Sequence, residues 1–129
     1  MFKSSRMFLN DPSVKFGSEV SSLSPVDALT AFARMMYAWR MPPGRAWQML
    51  TGHPRPLAAL TEDHTVKVAH LLEIDRGLRE IVGKPVGEWM RQASRSPFFG
   101  GTAPADYLTG RGMPGYVDLH QQVRRWMYM

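Results

Sequence analysis

The segment TEDHTVKVAHLLEIDRGLREIVGKP, residues 61–85, decides the fold. Thr61 is a residue type that caps helix N-termini, and Glu62 and Asp63 follow where a helix carries partial positive charge. Leu71, Ile74, Leu78, Ile81 and Val82 recur at helical spacing and make one apolar stripe. Gly83 and Pro85 then end the periodicity, because neither supports a further helical turn. The segment predicts one long amphipathic helix.

The flanking sequence has the same character. Ser24, with Pro25 at the first helical position and Asp27 behind it, opens a helix on which Leu29, Phe32, Ala33, Met36 and Tyr37 make the apolar face. Pro42 and Pro43 stop it near Arg40 and open a short helix with Ala46, Met49 and Leu50 inward, ended by Gly52. His53-Pro54-Arg55-Pro56 reads as a turn, and Leu57 to Leu60 leaves room for about one further helical turn. Beyond Pro85, Val86 to Ala93 predicts a short helix anchored by Trp89. Thr102 caps a helix through Leu108, in which Tyr107 and Leu108 face the core. Pro114 opens a last helix with Tyr116, Leu119, Val123 and Trp126 on one face. No stretch alternates with the period of a strand. The chain is predicted to be all-α, with six or seven mostly short helices.

A chain of 129 residues is long enough for one domain with a real core. Residues 1–23 sustain no period and read as a flexible N-terminal arm, with Phe2, Phe8, Leu9 and Phe16 available to dock on the body or on a second subunit. There is no cysteine, which excludes disulfides and thiolate metal sites. The longest apolar run, Met35 to Trp39, is too short to span a bilayer or to serve as a signal peptide, so the reading is cytoplasmic with no membrane partner. The histidines, His53, His64, His70 and His120, show no metal-ligand spacing, and no nucleophile–base pair stands out. Neither a cofactor, a metal nor an enzymatic activity is expected.

The net charge is +5, and most of it falls before residue 62. Between Ala28 and Thr61 there is no acid, against Arg34, Arg40, Arg45 and Arg55. That is either the electrostatic footprint of a polyanion binder or a solvated basic face. Arg45 and Arg55 are candidates for phosphate contact, Thr51 for donation to a nucleic-acid backbone, and His53 completes the set.

Trp89, Pro97, Gly101, Pro104 and Leu108 form an ordered pattern, preceded by Leu71-Leu72-x-Ile74 and Leu78 on the long helix. On these residues the chain, from about Ser24 to its end, resembles the Xre/MbcA/ParS-type antitoxins of bacterial toxin–antitoxin pairs. The resemblance implies a helix-turn-helix-like DNA-binding and dimerisation region over residues 24–84 and a toxin-binding module over residues 85–129. It implies a homodimer that represses its own operator DNA and covers the active-site cleft of a co-encoded toxin, commonly of the NAD-consuming RES type. The recognition helix of such a motif would fall between Pro54 and Leu60, where two prolines leave little helix to read a groove. Ala46 and Gly52, the matching small residue and turn glycine, are six apart rather than four.

Gly100 and Gly101 are expected to shape the loop of that module and to lie beside the toxin. Arg124, Arg125, Trp126, Tyr128 and Met129 follow the last expected stable turn and combine residue types that dominate interface hot spots. They are the candidate toxin contacts; the other reading packs Trp126 back on its own core. A stand-alone helix-turn-helix-like transcriptional regulator with no toxin partner is the alternative function.

Overall fold

A computed structural model describes residues 23–128. The expected arm, apart from Leu23, and the candidate contact Met129 lie outside the described residues. Six α-helices follow in order: α1 (Pro25–Ala38), α2 (Pro43–Thr51), α3 (Glu62–Ile81), α4 (Val86–Arg91), α5 (Pro104–Arg111) and α6 (Met113–Met127). A 3-10 turn, Pro97–Phe99, lies between α4 and α5. No strand occurs among the described residues, so the all-α class is the observed one.

α3 is the central element, packed along α6 on one side and α1 on another. Its start is a reciprocal cap: Thr61 Oγ1 accepts from His64 N at 3.1 Å, and His64 Nδ1 accepts from Thr61 N at 3.4 Å. Histidine here does what glutamate does in the usual capping box. The buried stripe runs Val68, Leu71, Ile74, Leu78. It stops short of the expected end, because Ile81 is exposed and Val82 only partly buried.

Gly77 lies on the α3–α6 seam; a Cβ there would stand 2.5 Å from Val123 Cγ1 and 2.9 Å from Met127 Sδ. The missing side chain is what lets the two helices close. One core cluster joins residues from both sides of Pro85, including Phe32, Leu50, Leu71, Ile74, Met90, Leu108 and Tyr116. Each such side chain contributes about 1.5–3 kcal/mol by leaving water.

The inward face of α1 differs from the expected one. Ala28, Phe32, Met35 and Met36 are buried, and Trp39 just beyond the helix is 2% exposed, whereas Ala33 is exposed and Tyr37 is 87% exposed. The reason is Trp39. Its ring goes inward, and its Nε1–H donates to Asp75 Oδ1 on α3 at 2.8 Å, which rotates the tyrosine to solvent. α1 ends with Arg40 in the left-handed region (φ 56°), and Met41 N reaches back to Met36 O at 3.0 Å.

The last carbonyls of α2 have lost their helical partners and are met from elsewhere. Gly52 N donates to Gln48 O at 2.9 Å, Tyr116 Oη donates to Met49 O at 2.8 Å, and Lys67 Nζ donates to Leu50 O at 3.0 Å. α3 and α6 therefore fix the end of α2 directly. The further turn expected over 57–60 does not form: residues 52–61 contain no helix. Pro54 and Pro56 donate no N–H and force His53 and Arg55, the residues before them, toward extended backbone.

Candidate functional site

Residues 89–108 fold as one unit around a ring cluster. Ser96 Oγ accepts from Phe98 N at 3.3 Å and starts the 3-10 turn at Pro97. Gly100 (φ 61°) and Gly101 (φ 88°) then reverse the chain in the left-handed region, where only glycine sits without strain. The expected cap at Thr102 is replaced. Ala103 is the N-cap of α5, and the Thr102 hydroxyl instead donates to Phe99 O at 2.8 Å, closing the glycine turn. Ser94 N donates to Thr102 O at 3.2 Å and ties the far side of the loop.

The turn delivers Phe98 and Phe99 to Trp89, Tyr107 and Trp126. Trp89 meets Phe99 edge-on at 5.6 Å between centroids, and Phe99 meets Tyr107 edge-on at 5.3 Å. Trp126 stands edge-on to Trp89 and to Phe98, each at 6.3 Å. Edge-to-face pairs of this kind add about 0.5–1.5 kcal/mol each beyond area burial. The Arg111 guanidinium lies 4.9 Å from the centre of the Tyr107 ring. The cluster thus closes the end of α6 onto the glycine turn.

The candidate toxin contacts divide accordingly. Arg124, Arg125 and Trp126 do not follow the last stable turn, because α6 continues to Met127. Trp126 is partly buried and packs back on the ring cluster. Arg124 and Arg125 are exposed, with Arg125 Nη1 donating to Gln122 Oε1 at 2.8 Å, and Tyr128 is 78% exposed. Gly100 and Gly101 are exposed as well. The rings of Phe98, Phe99 and Trp126 join the glycine turn to the end of α6.

The candidate DNA residues are placed differently. Arg45 Nη2 pairs with Asp106 Oδ1 of α5 at 3.3 Å. The Thr51 hydroxyl donates to Trp47 O at 2.9 Å and accepts from His53 N at 3.2 Å, closing the end of α2. His53 and Arg55 stand exposed on the 52–61 segment. Two of the four are thus engaged within the fold, and two face solvent.

A pair missed in the sequence lies at the α3–α6 seam. His70 and His120, fifty positions apart, are buried with their Nδ1 atoms 2.9 Å apart. A contact that short requires one ring to donate and the other to accept, so the pair is held with one Nδ1–H between the two rings. Burial holds His70 below the usual imidazole range. Burial, then His70, Arg124 and Arg76, push His120 down to about 3. Burial pushes the Tyr116 phenol up, consistent with a permanent donor. The signal for the pair was available: both histidines fall on the buried stripes of their helices, where a polar residue needs a partner.

Among the described residues no cluster of three or more histidine, cysteine or carboxylate side chains could hold a metal ion, and no helix is long and apolar enough to cross a membrane. Comparison with known protein families, with curated proteins and with solved structures finds no match to this chain.

Proposed function

We propose that this chain is an antitoxin, a protein that neutralises a co-encoded toxin by covering its active-site cleft. The observation that carries the reading is that the ordered residues Trp89, Pro97, Gly101, Pro104 and Leu108 all lie in the one folded segment that is built around the ring cluster. Trp89 joins the ring cluster, Pro97 and Gly101 shape the exposed turn that delivers Phe99 to it, and Pro104 and Leu108 are buried on the helix that follows. The exposed residues at the end of α6, Arg124, Arg125 and Tyr128, together with the exposed glycine turn, are the surface that meets the toxin. The same chain, as a dimer, represses its own operator.

Co-expression with the product of the adjacent gene tests the proposal. The tagged chain retains that protein and rescues growth. Arg125→Glu with Tyr128→Ala abolishes both while leaving the melting temperature in place, since both side chains are exposed. A wild-type chain that retains no neighbour overturns the reading. A double variant that rescues as well as wild type moves the contact elsewhere.

A stand-alone DNA-binding regulator is the second reading, favoured by the acid-free segment 28–61. With no second helix over 52–61, its contacts would be to phosphates, and its affinity would fall steeply with added salt.

A further inference from the structure

The last turn of α1 and the first turn of α2 enclose an open groove of about 840 Å³ that the proposed toxin surface does not use. Phe32, Met36, Met41 and Ala46 floor it, all buried, and Tyr37 and Trp47 form its aromatic walls. Trp47 is held edge-on to Phe32 at 5.2 Å, so this wall is set before anything binds, which lowers the ordering cost of association. Two methionines in the floor make it adaptable to anchors of different shape.

Tyr37 lies almost wholly in solvent on this rim, a large side chain that the fold itself does not use. Arg40 is the one charged residue among those lining the groove, and it stands there at a positive φ, in the helix-ending position where glycine is the unstrained choice. A strained residue kept at a rim points to use of its side chain. The surrounding sequence carries no acid from Ala28 to Thr61.

We propose that this groove docks a short peptide segment of another protein, one that carries an aromatic or aliphatic anchor flanked by carboxylates. The anchor fills the space between Tyr37 and Trp47, and a flanking carboxylate pairs with Arg40. Charge selects this occupant over the two alternatives within the chain. A second copy paired through the same groove would bring one acid-free segment against another. Within residues 1–22 each apolar anchor that has an acid near it also has a cation beside it, Arg6 before Phe8, Leu9 and Asp11, and Lys15 before Phe16 and Glu19.

A random twelve-residue peptide library displayed on phage, selected on the full chain, provides the test. The expected enrichment is Trp, Phe or Leu beside Asp or Glu. A synthetic copy of an enriched peptide, followed by fluorescence anisotropy, binds at least about tenfold more weakly to Tyr37→Ala and to Ala33→Glu, the loss typical of an interface hot spot. Both positions are exposed, so the melting temperature is unchanged. Arg40→Glu turns the selection toward Lys- and Arg-flanked peptides. The proposal is overturned by a selection that enriches nothing, by basic peptides on the wild-type chain, or by enriched peptides indifferent to Tyr37→Ala and Ala33→Glu. Concentration-dependent dimers lost in Tyr37→Ala would assign the groove to a second copy instead. Peptide binding seen only after removal of residues 1–22 would assign it to the chain's own N-terminus.

Discussion

Acidification should loosen the seam between α3 and α6, and the size of the effect follows from the buried histidine pair. In the unfolded chain His120 titrates near its ordinary 6.5, whereas in the fold it is held down to about 3. A depressed basic group adds no pH dependence above the unfolded value. As pH drops below it, the unfolded chain takes up a proton that the native state refuses, and stability falls until the native group also protonates. At about pH 5 the loss from His120 alone is roughly 2 kcal/mol. His70 adds to it with the same sign, since burial lowers it too. The cationic groups at the site, Arg76 and Arg124, oppose protonation as well. With urea slopes of about 1–3 kcal/mol/M, the unfolding midpoint should fall by about 1 M between pH 7.5 and pH 5. His64, lowered by burial and by Lys67 although Asp63 acts against this, contributes a remainder because protonation removes the Nδ1 acceptor of the α3 cap. His70→Leu with His120→Leu should therefore abolish most of the pH dependence. A midpoint that is flat or rises on acidification, or a double variant with the wild-type slope, refutes the reasoning.

Other substitutions probe single devices of the fold. Arg40→Gly should raise stability by about 0.5–1 kcal/mol in chemical denaturation, the relief of a positive φ less the added freedom of the unfolded chain. Gly87→Ala should cost about 2 kcal/mol or more, because a Cβ there runs into the Trp39 backbone, which cannot swing aside as a side chain could; an unchanged melting temperature would show that α4 can shift. Tyr116→Phe should cost about 1–2 kcal/mol by leaving the Met49 carbonyl without its donor, measured as a lower urea midpoint. Deleting residues 125–129 should lower stability by about 2–4 kcal/mol, since Trp126 leaves the ring cluster and Met127 leaves the Gly77 seam. A truncated chain that melts with wild type would return the tail to a purely external role.

What was legible in the sequence was local. The Thr61 cap, the Leu71–Ile74–Leu78 stripe and the Gly83–Pro85 break describe α3 because each acts within a few residues of itself. The left-handed turn at Gly100 and Gly101 was readable for the same reason. α1 was found with its ends and with Phe32 and Met36 inward, but its face is rotated from Ala33 and Tyr37 toward Ala28, Met35 and Trp39. The run Met35-Met36-Tyr37-Ala38-Trp39 is apolar on two faces at once, and only the distant carboxylate of Asp75 decides which aromatic goes in. Trp126 left two readings for a similar reason, since its partners, Trp89 and Phe98, lie far back in the chain. The turn expected over 57–60 does not form because four residues between Pro56 and the Thr61 cap are too few to nucleate a helix. The His70–His120 pair needed both helices and their seam, which no single stretch contains.

α6 explains why the two surfaces need different experiments. Tyr116 caps α2, His120 pairs with α3, Val123 and Met127 close over Gly77, and Trp126 seals the ring cluster. The inward positions of the helix therefore hold α2, α3 and the ring cluster together, and Arg124, Arg125 and the following Tyr128 are among the exposed residues of its outward side. Shortening α6 tests packing and binding together, whereas charge reversal at Arg125 separates them. The groove at Tyr37 stands on the opposite terms. Its walls come from α1 and α2, whose ends are fixed by Trp39–Asp75 and by Tyr116 and Lys67, so its rim can be altered without loosening what holds it. A toxin seated on the end of α6 and a peptide seated between α1 and α2 would thus report on separate residues of one rigid core.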